Sequence, residues 1–294
     1  MAERQTTENM ARIETVAAAS AQTITTVIRP ASSWPSINLR ELWAYRELLF
    51  ILAWRDVSVR YKQSVVGIGW AILQPLLMMI IFTIVFGKFA KLPSEGVPYP
   101  IFTFCALLPW NYFARSLSDS SNSLVGSSHL VTKVYFPRLV LPLSKVFAGL
   151  IDFAIGFVIL LGMMAWYGVA PTIGLLFLPL FLFVAMLASL GVGLWLTAIN
   201  VKYRDVVFVV PFLVQFWMYA SPVAYSATIV PERYQWIYGL NPMVGVIEGF
   251  RWAMLGKTAP NIELMLMSLV AILLLLIGGL FYFKHMEKTF ADII

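Results

Sequence analysis

The sequence contains few of the residues from which catalytic centres, metal sites and disulfide frameworks are built. Among 294 residues there are one cysteine and two histidines. Cys105 lies inside an apolar run, so the chain offers neither a disulfide framework nor a cysteine-based metal cluster. No histidine–carboxylate cluster and no nucleophile beside a base is evident, which disfavours a membrane enzyme such as a glycosyl or acyl transferase.

A nucleotide-binding loop is also missing. The tripeptide Gly256-Lys257-Thr258 resembles the end of a phosphate-binding loop, but Arg251 stands where its first glycine is needed. We therefore expect no cofactor in this chain. The N-terminus has no short apolar core behind a basic start, which predicts no cleaved signal peptide.

Charge is scarce as well. Charged residues make up 12% of the chain, against about 25% in soluble domains. Hydrophobic residues make up 60%, and the mean hydropathy is +0.80. The sequence is therefore that of an integral membrane protein. Its net charge of +6 is carried by loops between apolar runs, which indicates topology signals and no nucleic-acid partner.

The N-terminal region is predicted to contain a tail and a surface helix. Residues 1–36 are polar and are expected to form a disordered cytoplasmic tail. Within residues 37–62, Trp43, Phe50 and Trp54 share one helical face, and the basic residues lie off it. This pattern is typical of an amphipathic helix in the membrane interface. A soluble helix packed on a partner is the alternative.

The apolar runs of residues 63–284 predict an all-α polytopic permease domain with six transmembrane helices. About 20 apolar residues are needed to cross the hydrocarbon core. A shorter apolar piece, 243–255, predicts a re-entrant or interfacial segment before the last span, and residues 285–294 are expected to be a cytoplasmic tail. The six predicted spans are 65–86, 99–124, 146–167, 173–199, 206–225 and 264–283.

Three ionisable residues within the predicted spans need partners, because a lone charge in the membrane is costly. Arg115 and Asp119 lie four residues apart, so we expect them to pair. Asp152 is expected to meet Lys145, seven residues earlier on a similar face. A proton relay at Asp152 is the alternative.

Orientation follows from the basic residues. Of 21 lysines and arginines, 15 lie on the side of the N-terminus, the 126–145 loop, the 200–205 loop and the C-terminus, and five lie on the other. The positive-inside rule therefore places both termini in the cytoplasm.

Segment 126–145 is basic and has an apolar side. A helix is expected to start near Ser127 or Ser128 and to be broken by Pro137 and Pro142. Such a loop at the membrane surface could serve as a handle for a cytoplasmic partner.

Aromatic residues are abundant in the second and fifth spans. They suggest a path along which sugars slide by stacking their C–H faces on rings, although a membrane-interface belt would explain many of them. The candidate path residues are Trp110, Tyr112, Phe113, Trp217, Tyr219 and Tyr225.

Several motifs in order and spacing over residues 38–290 resemble one family, the permease subunits of type-2 ATP-binding-cassette exporters, in the branch that exports polysaccharides. The motifs are Leu-Leu-Pro-Trp-Asn-Tyr-Phe-Ala-Arg-Ser at 107–116, Asn-Ser-Leu at 122–124, Lys-Val-Tyr-Phe-Pro-Arg at 133–138, Leu-Pro-Leu-Ser at 141–144, Tyr-Arg-Asp at 203–205, Leu-Asn-Pro-Met at 240–243 and Gly-Phe-Arg at 249–251.

The resemblance implies a homodimeric permease in the bacterial inner membrane, with two separate ATP-binding subunits that use ATP and Mg²⁺. It implies export of an undecaprenyl-linked glycan, and O-antigen is the substrate that we favour. The alternatives are a capsule or teichoic acid exporter and a drug or small-lipid efflux permease. It also implies that the first helix and segment 126–138 meet the ATPase. Within that segment we expect Phe136 to be the apolar anchor, with Lys133 and Arg138 at the rim of the contact. The expected coupling residues are His129, Lys133, Tyr135, Phe136, Pro137, Arg138, Arg55 and Tyr61.

Overall fold

The computed structural model describes residues 39–62, 65–257 and 260–293, and across these ranges it contains helices and no strand. The all-α prediction is therefore confirmed for the described residues, and the predicted tail 1–36 lies outside them. In chain order the α-helices are α1 (Leu39–Ala44), α2 (Arg46–Lys62), α3 (Val65–Phe82), α4 (Tyr99–Ser121), α5 (Ser128–Lys133), α6 (Val140–Trp166), α7 (Leu178–Lys202), α8 (Val206–Tyr219), α9 (Glu232–Gly239), α10 (Pro242–Leu255) and α11 (Ile262–Ile293).

Helix α4 forms the centre of the fold. Sixteen of its 23 residues are buried, and it packs against α3, α6, α7, α8 and α10. A helix that is surrounded by other helices does not need an apolar surface all round, because its polar groups can meet protein instead of lipid. This position explains why α4 tolerates Arg115 and Asp119.

Four helical stretches among the described residues are long and apolar enough to cross a membrane: Gly69–Phe89, Val140–Trp166, Ile173–Lys202 and Ile262–Phe290. Helix α8 has only 14 residues. At about 1.5 Å per residue it rises roughly 21 Å, less than the hydrocarbon thickness of about 30 Å. The count of six spans therefore stays a prediction.

Two boundaries differ from the sequence expectation. The expected continuous helix over 37–62 is two helices, α1 and α2, which meet at a turn at Tyr45. The expected tail 285–294 continues α11 as helix to Ile293. Phe290 is fully buried and packs edge-on against Phe283, with ring centroids 5.2 Å apart, so tertiary packing extends this helix beyond its apolar run.

The predicted segment 243–255 is helix α10, whose two ends are fixed by local chemistry. At its start the Asn241 side chain accepts a hydrogen bond from the Met243 amide, which is a standard N-cap. At its end Gly256 has φ +61°, and a Cβ there would lie 2.4 Å from Cγ2 of Thr172. Only glycine meets both requirements without strain.

Candidate functional site

The segment between α4 and α6 contains a short 3-10 turn, Val125–Ser127, and helix α5, which begins at Ser128 as the sequence predicted. We call residues 125–138 the coupling segment. Its Phe136 is only 6% exposed and belongs to a buried cluster with Leu52 of α2 and Phe283 and Phe290 of α11. Pro137 is buried as well. The ring that was expected to anchor a partner therefore faces the interior of this chain.

Arg138 is engaged within the chain rather than at a free rim. Its guanidinium donates a hydrogen bond to the carbonyl oxygen of Glu287 and lies 5.9 Å from the centre of the Phe290 ring. Its backbone amide lies 3.3 Å from the Glu287 carboxylate, which also pairs with Lys284 at 2.7 Å. The end of α11 therefore holds the end of the coupling segment.

The exposed side chains of the coupling segment are those of His129, Thr132, Lys133, Val134 and Tyr135. Tyr135 is 82% exposed, and its hydroxyl lies 3.4 Å from the carboxylate of Glu41 on α1. That negative charge raises the pKa of Tyr135, so the phenol stays protonated at neutral pH and remains a donor. The neighbours Tyr135 and Phe136 thus point in opposite directions.

A cluster of charges joins α2, α4 and α6. Arg60 on α2 pairs with Asp119 on α4 at 2.7 Å and with Asp152 on α6. Arg115 approaches Asp152 at 3.4 Å, and the Tyr61 hydroxyl donates to the same carboxylate. We call these five residues the inner charge cluster. The expected pairing of Arg115 with Asp119 was wrong, because Asp119 pairs with Arg60 of α2 and Arg115 pairs with Asp152.

Desolvation first, and then the hydrogen bond to Asp152, raise the pKa of Tyr61 to about 12. The phenol therefore keeps its proton and acts only as a donor to the carboxylate. Asp152 accepts hydrogen bonds from Arg60 and Tyr61 and forms an ion pair with Arg115, and these partners explain how a carboxylate is tolerated in an apolar helix.

Lys145 was expected beside Asp152 but lies elsewhere. Its ammonium pairs at 2.6 Å with Asp56 on α2, one turn before Arg60. Arg55, which is exposed, also contacts Asp56, at 3.2 Å. Ion pairs therefore connect α2 to α6 at two successive turns, and Ala53, Val57 and Ala148 form a small buried cluster in the same interface.

The predicted path residues divide into two groups. Trp110, Tyr112 and Phe113 are all at most 3% exposed and belong to the core of the chain. The Tyr112 hydroxyl donates to the Val146 carbonyl at 3.0 Å. The Phe113 ring meets Trp217 edge-on at 5.3 Å.

The second group lies at the end of α8 and just after it. The Trp217 indole donates to the Asn241 side chain at 2.9 Å. Tyr219 is 51% exposed. The Tyr225 hydroxyl donates to the Tyr219 carbonyl at 3.2 Å. The Tyr238 hydroxyl lies 3.3 Å from the Tyr225 hydroxyl. The three residues of the second group therefore lie near one another. Their link to the buried first group is the contact of Trp217 with Phe113.

Sequence reasoning missed an aromatic stripe on α8. Phe208, Phe212 and Phe216 are 80%, 72% and 67% exposed. Their spacing of four residues places them on one face of the helix, on which Tyr219 also falls. This spacing is visible in the sequence and could have identified the stripe. The ring centroid of Phe82 on α3 lies 6.4 Å from that of Tyr219, so the C-terminal end of the stripe contacts α3.

A second buried charge lies at the other end of α4. Arg251 of α10 is 4% exposed, pairs with Glu248 at 3.1 Å and donates to the carbonyls of Val223 and Tyr225 at 2.9 and 3.0 Å. Its guanidinium lies 3.8 Å from the centre of the Phe102 ring. We call Arg251, Glu248 and their partners the outer arginine site.

Metal chemistry finds no support in the described part of the chain, where no group of three or more histidine, cysteine, aspartate or glutamate side chains could hold an ion. The arrangement instead comprises a membrane-sized helical body, a surface segment with one exposed aromatic ring and two charge sites at opposite ends. These are features of a membrane transport protein.

Comparison with known proteins agrees with this description. The sequence model of the ABC-2 type transporter family matches residues 47–255, and the chain belongs to this family. It is a membrane protein.

Individual relatives sharpen the assignment. The chain is 30% identical over 258 residues to the O-antigen export system permease protein RfbA of Myxococcus xanthus, covering 86% of this chain and 98% of that protein. It is 27% identical over 249 residues to the protein of the same name from Klebsiella pneumoniae, covering 84% and 95%. The polysialic acid transport protein KpsM of Escherichia coli is 26% identical over 243 residues, covering 80% and 91%.

Proposed function

We propose that this chain is the permease subunit of an exporter that moves a lipid-linked polysaccharide across the bacterial inner membrane. The substrate that we favour is an undecaprenyl-linked O-antigen glycan. The observation that carries the proposal is the similarity to O-antigen export permeases over nearly the whole length of both proteins. Two copies of this chain would form the permease. ATP, with Mg²⁺, would be hydrolysed in two separate subunits, in keeping with the incomplete phosphate-loop motif at residues 251–258.

The proposed topology has six spans, α3, α4, α6, α7, α8 with the turn that follows it, and α11, with α10 as a re-entrant helix. Contacts within the chain support it. The pairs Arg60–Asp119, Lys145–Asp56 and Arg138–Glu287 gather α2, the end of α4, the start of α6 and the end of α11 at one face. These elements contain eight lysines and arginines and the coupling segment between them two more, against five at the opposite end of the spans, so we take this face to be the cytoplasmic one.

Helix α2 would lie in the membrane interface beside that face. Trp43, Phe50 and Trp54 are 71%, 68% and 58% exposed, whereas Leu52 and Val57 are buried against the protein. An aromatic surface on one side and ion pairs on the other suit a helix placed between headgroups and the transmembrane body. Residues 37–62 thus remain the proposed interfacial unit.

We place the contact with the ATPase at the exposed side of the coupling segment, with Tyr135 as its aromatic centre. Phe136 and Arg138 serve a different purpose, because they fix the segment to α2 and α11. A push on Tyr135 would therefore reach α11 through Arg138 and α2 through the cluster around Phe136. His129 and Lys133 lie on the exposed side and would form the rim, with Arg55 and Tyr61 on the neighbouring helix.

The glycan path would follow α8. Its exposed stripe supplies rings that stack on sugars, continued by Tyr219. Trp110, Tyr112 and Phe113 would form the wall behind it, since Phe113 supports Trp217 from inside. Aromatic rings in such a path hold sugars weakly and in sequence, and weak holding favours movement over tight binding.

The test is export in cells that lack the chromosomal copy of this gene. The proposal expects lipid-linked glycan to accumulate inside such cells, and this chain supplied together with its ATPase to restore glycan at the surface. An ATPase variant that cannot hydrolyse ATP is the matched control and should not restore export. Normal surface glycan in the deletion strain, with a raised sensitivity to drugs, would favour the efflux alternative and contradict the proposal.

A further inference from the structure

A groove of about 640 Å³ opens between α9 and the start of α11. This volume lies within the range of roughly 300–1,000 Å³ that is usual for small-molecule sites. We call it the outer groove. It is lined by Glu232, Gln235, Trp236, Pro260, Asn261, Ile262, Glu263, Leu264 and Met267.

The groove lies at the opposite end of α11 from the coupling segment. Ile262 begins the helix at the groove, and Glu287, 25 residues later, contacts Arg138. At about 1.5 Å per residue these points are roughly 37 Å apart, which exceeds the hydrocarbon thickness. If the coupling segment is cytoplasmic, as proposed above, the groove opens on the outer surface.

The side chains of the groove match the chemistry of a neutral sugar. Trp236 is 57% exposed and offers an indole face on which the C–H face of a pyranose can stack. The Asn261 amide group donates to the Gln235 side-chain oxygen at 3.5 Å, and the Asn261 oxygen accepts from the Glu263 amide at 3.0 Å, so these two side chains hold the wall of the groove. The carboxylates of Glu232 and Glu263 also line the groove and can accept from hydroxyl groups. A ring beside planar polar groups suits a ligand that has one apolar face and a hydroxylated edge.

The charge of the lining selects against other ligands. The described residues that line the groove include two carboxylates and neither lysine nor arginine. An anionic ligand such as a phosphate headgroup would meet like charges without a counterion, which is unfavourable. A hydroxyl donor, by contrast, forms stronger hydrogen bonds with a carboxylate than with a neutral acceptor.

A smaller cavity of about 80 Å³ continues the groove inward and shares Gln235, Asn261 and Leu264 with it. Thr228 and Glu248 also line this cavity. This space is too small for a sugar ring. It can take a substituent that projects from one, such as a hydroxymethyl group.

We propose that the outer groove binds one or two neutral sugar units of the exported glycan as the chain leaves the permease. This inference rests on the proposed function and deepens it. Binding on the exit side opposes backward sliding of the polymer while the ATPase resets, so each stroke is retained. The open form of the groove suits weak binding, which lets the polymer advance.

The experiment uses the permease–ATPase complex in lipid nanodiscs and the lipid-free surface polysaccharide of the source strain as the probe. Saturation-transfer NMR reports which sugar protons touch the protein, and it suits weak binding. The wild type should transfer saturation to ring protons of the glycan. Trp236→Ala should weaken binding at least about tenfold, as expected for loss of a central aromatic ring. Trp236→Phe should retain most of it.

Trp166→Ala is the matched control. Trp166 is 87% exposed at the far end of α6, on the same proposed outer side, and does not line the groove. The control should leave binding unchanged. Equal binding by the Trp236→Ala and wild-type complexes would overturn the proposal, and so would the absence of saturation transfer with the wild type.

Export assays in the same strain separate this inference from the proposed function. If the wild type restores export but the purified complex does not bind the glycan, the groove proposal fails and the function stands. If the wild type does not restore export, the proposed function fails whatever the groove binds. If Trp236→Ala slows export and releases a co-purifying protein from the outer face, without altering glycan binding, the groove is a protein contact and the proposal is overturned.

Discussion

The two charge sites of the molecule are built in opposite ways. In the inner charge cluster the partners come from three helices, and the side chains of Asp152, Arg60, Asp119 and Arg115 are 14%, 21%, 35% and 40% exposed. At the outer arginine site the ion pair is local, between Glu248 and Arg251 on one turn of α10, and Arg251 is 4% exposed.

The difference has an energetic meaning. Ion pairs that stay in contact with solvent contribute about 0–1 kcal/mol each, and Arg115 and Asp119 are 40% and 35% exposed, so the partners in this cluster can exchange at a lower cost than at Arg251. Removing one partner of a buried pair costs about 3–5 kcal/mol, because it leaves a charge without compensation. The inner site can therefore yield when α2 moves against α4 and α6, whereas the outer site fixes α10 to the chain at residues 223–225.

The outer arginine site should give the largest effect. Arg251→Met leaves Glu248 unpaired and removes the donors to the carbonyls of Val223 and Tyr225. We expect a loss of about 3–5 kcal/mol, seen as a lower unfolding temperature in detergent and less protein in the membrane. The double variant Arg251→Met/Glu248→Leu should recover part of it, since it no longer buries a lone charge. A loss below about 1 kcal/mol in the single variant would show that the site is not a rigid contact.

Phe136 and Tyr135 should separate stability from partner binding. Phe136→Ala removes a buried ring and should cost the permease about 3–5 kcal/mol. Tyr135→Ala should leave the unfolding temperature nearly unchanged and weaken co-purification of the ATPase about tenfold or more, as expected for an aromatic residue at an interface centre. Tyr135→Phe is the control and should retain the partner. If Tyr135→Ala retains the ATPase and normal export, the contact lies elsewhere.

Asp152 should give a smaller effect. Asp152→Asn weakens three contacts, but Arg60 keeps Asp119, so we expect a cost of about 1–3 kcal/mol. Helix α2 should become more accessible to protease while the rest of the fold persists. Asp205→Asn, an exposed carboxylate in the loop before α8, should change neither. Global unfolding of the Asp152→Asn protein would place this cluster in the same class as the outer site.

The smallest effect is expected at Lys133, which is exposed on the coupling segment. Lys133→Ala should weaken ATPase binding by no more than about 1 kcal/mol, and the difference should shrink as salt is raised. The measurement is binding of the purified ATPase at low and high ionic strength. A large loss that does not depend on salt would contradict a rim position.

The positions of several helices were predictable from the apolar runs of the sequence. The short apolar piece expected over 243–255 is helical, Pro242–Leu255, and its re-entrant placement stays a prediction. The loop expected at 200–205 separates α7 from α8 over residues 203–205. The helical continuation over residues 285–293 was missed because Phe290 packs on Phe283, a tertiary contact that polarity along the chain does not report.

The pairing of charges was harder to predict. Arg60 meets its partners across 59 and 92 residues of sequence, and no local spacing indicates such contacts. Arg115 and Asp119 have the right spacing for each other, yet a third charge on α2 changes the partners. The choice between Tyr135 and Phe136 was equally open, because adjacent aromatic residues after a short helix carry no signal of which one faces inward.

The central claim is that the contact of α2 with α6 moves while the outer arginine site, at the other end of α4, stays rigid. It is tested most directly by cross-linking in the reconstituted permease–ATPase complex, on a Cys105→Ser background. Val57→Cys with Ala148→Cys reports the inner contact, and Thr172→Cys with Ala253→Cys reports the outer one. We expect ATP to change the cross-linking rate of the inner pair severalfold and to leave the outer pair unchanged. An inner pair that does not respond, beside an outer pair that does, would contradict the account.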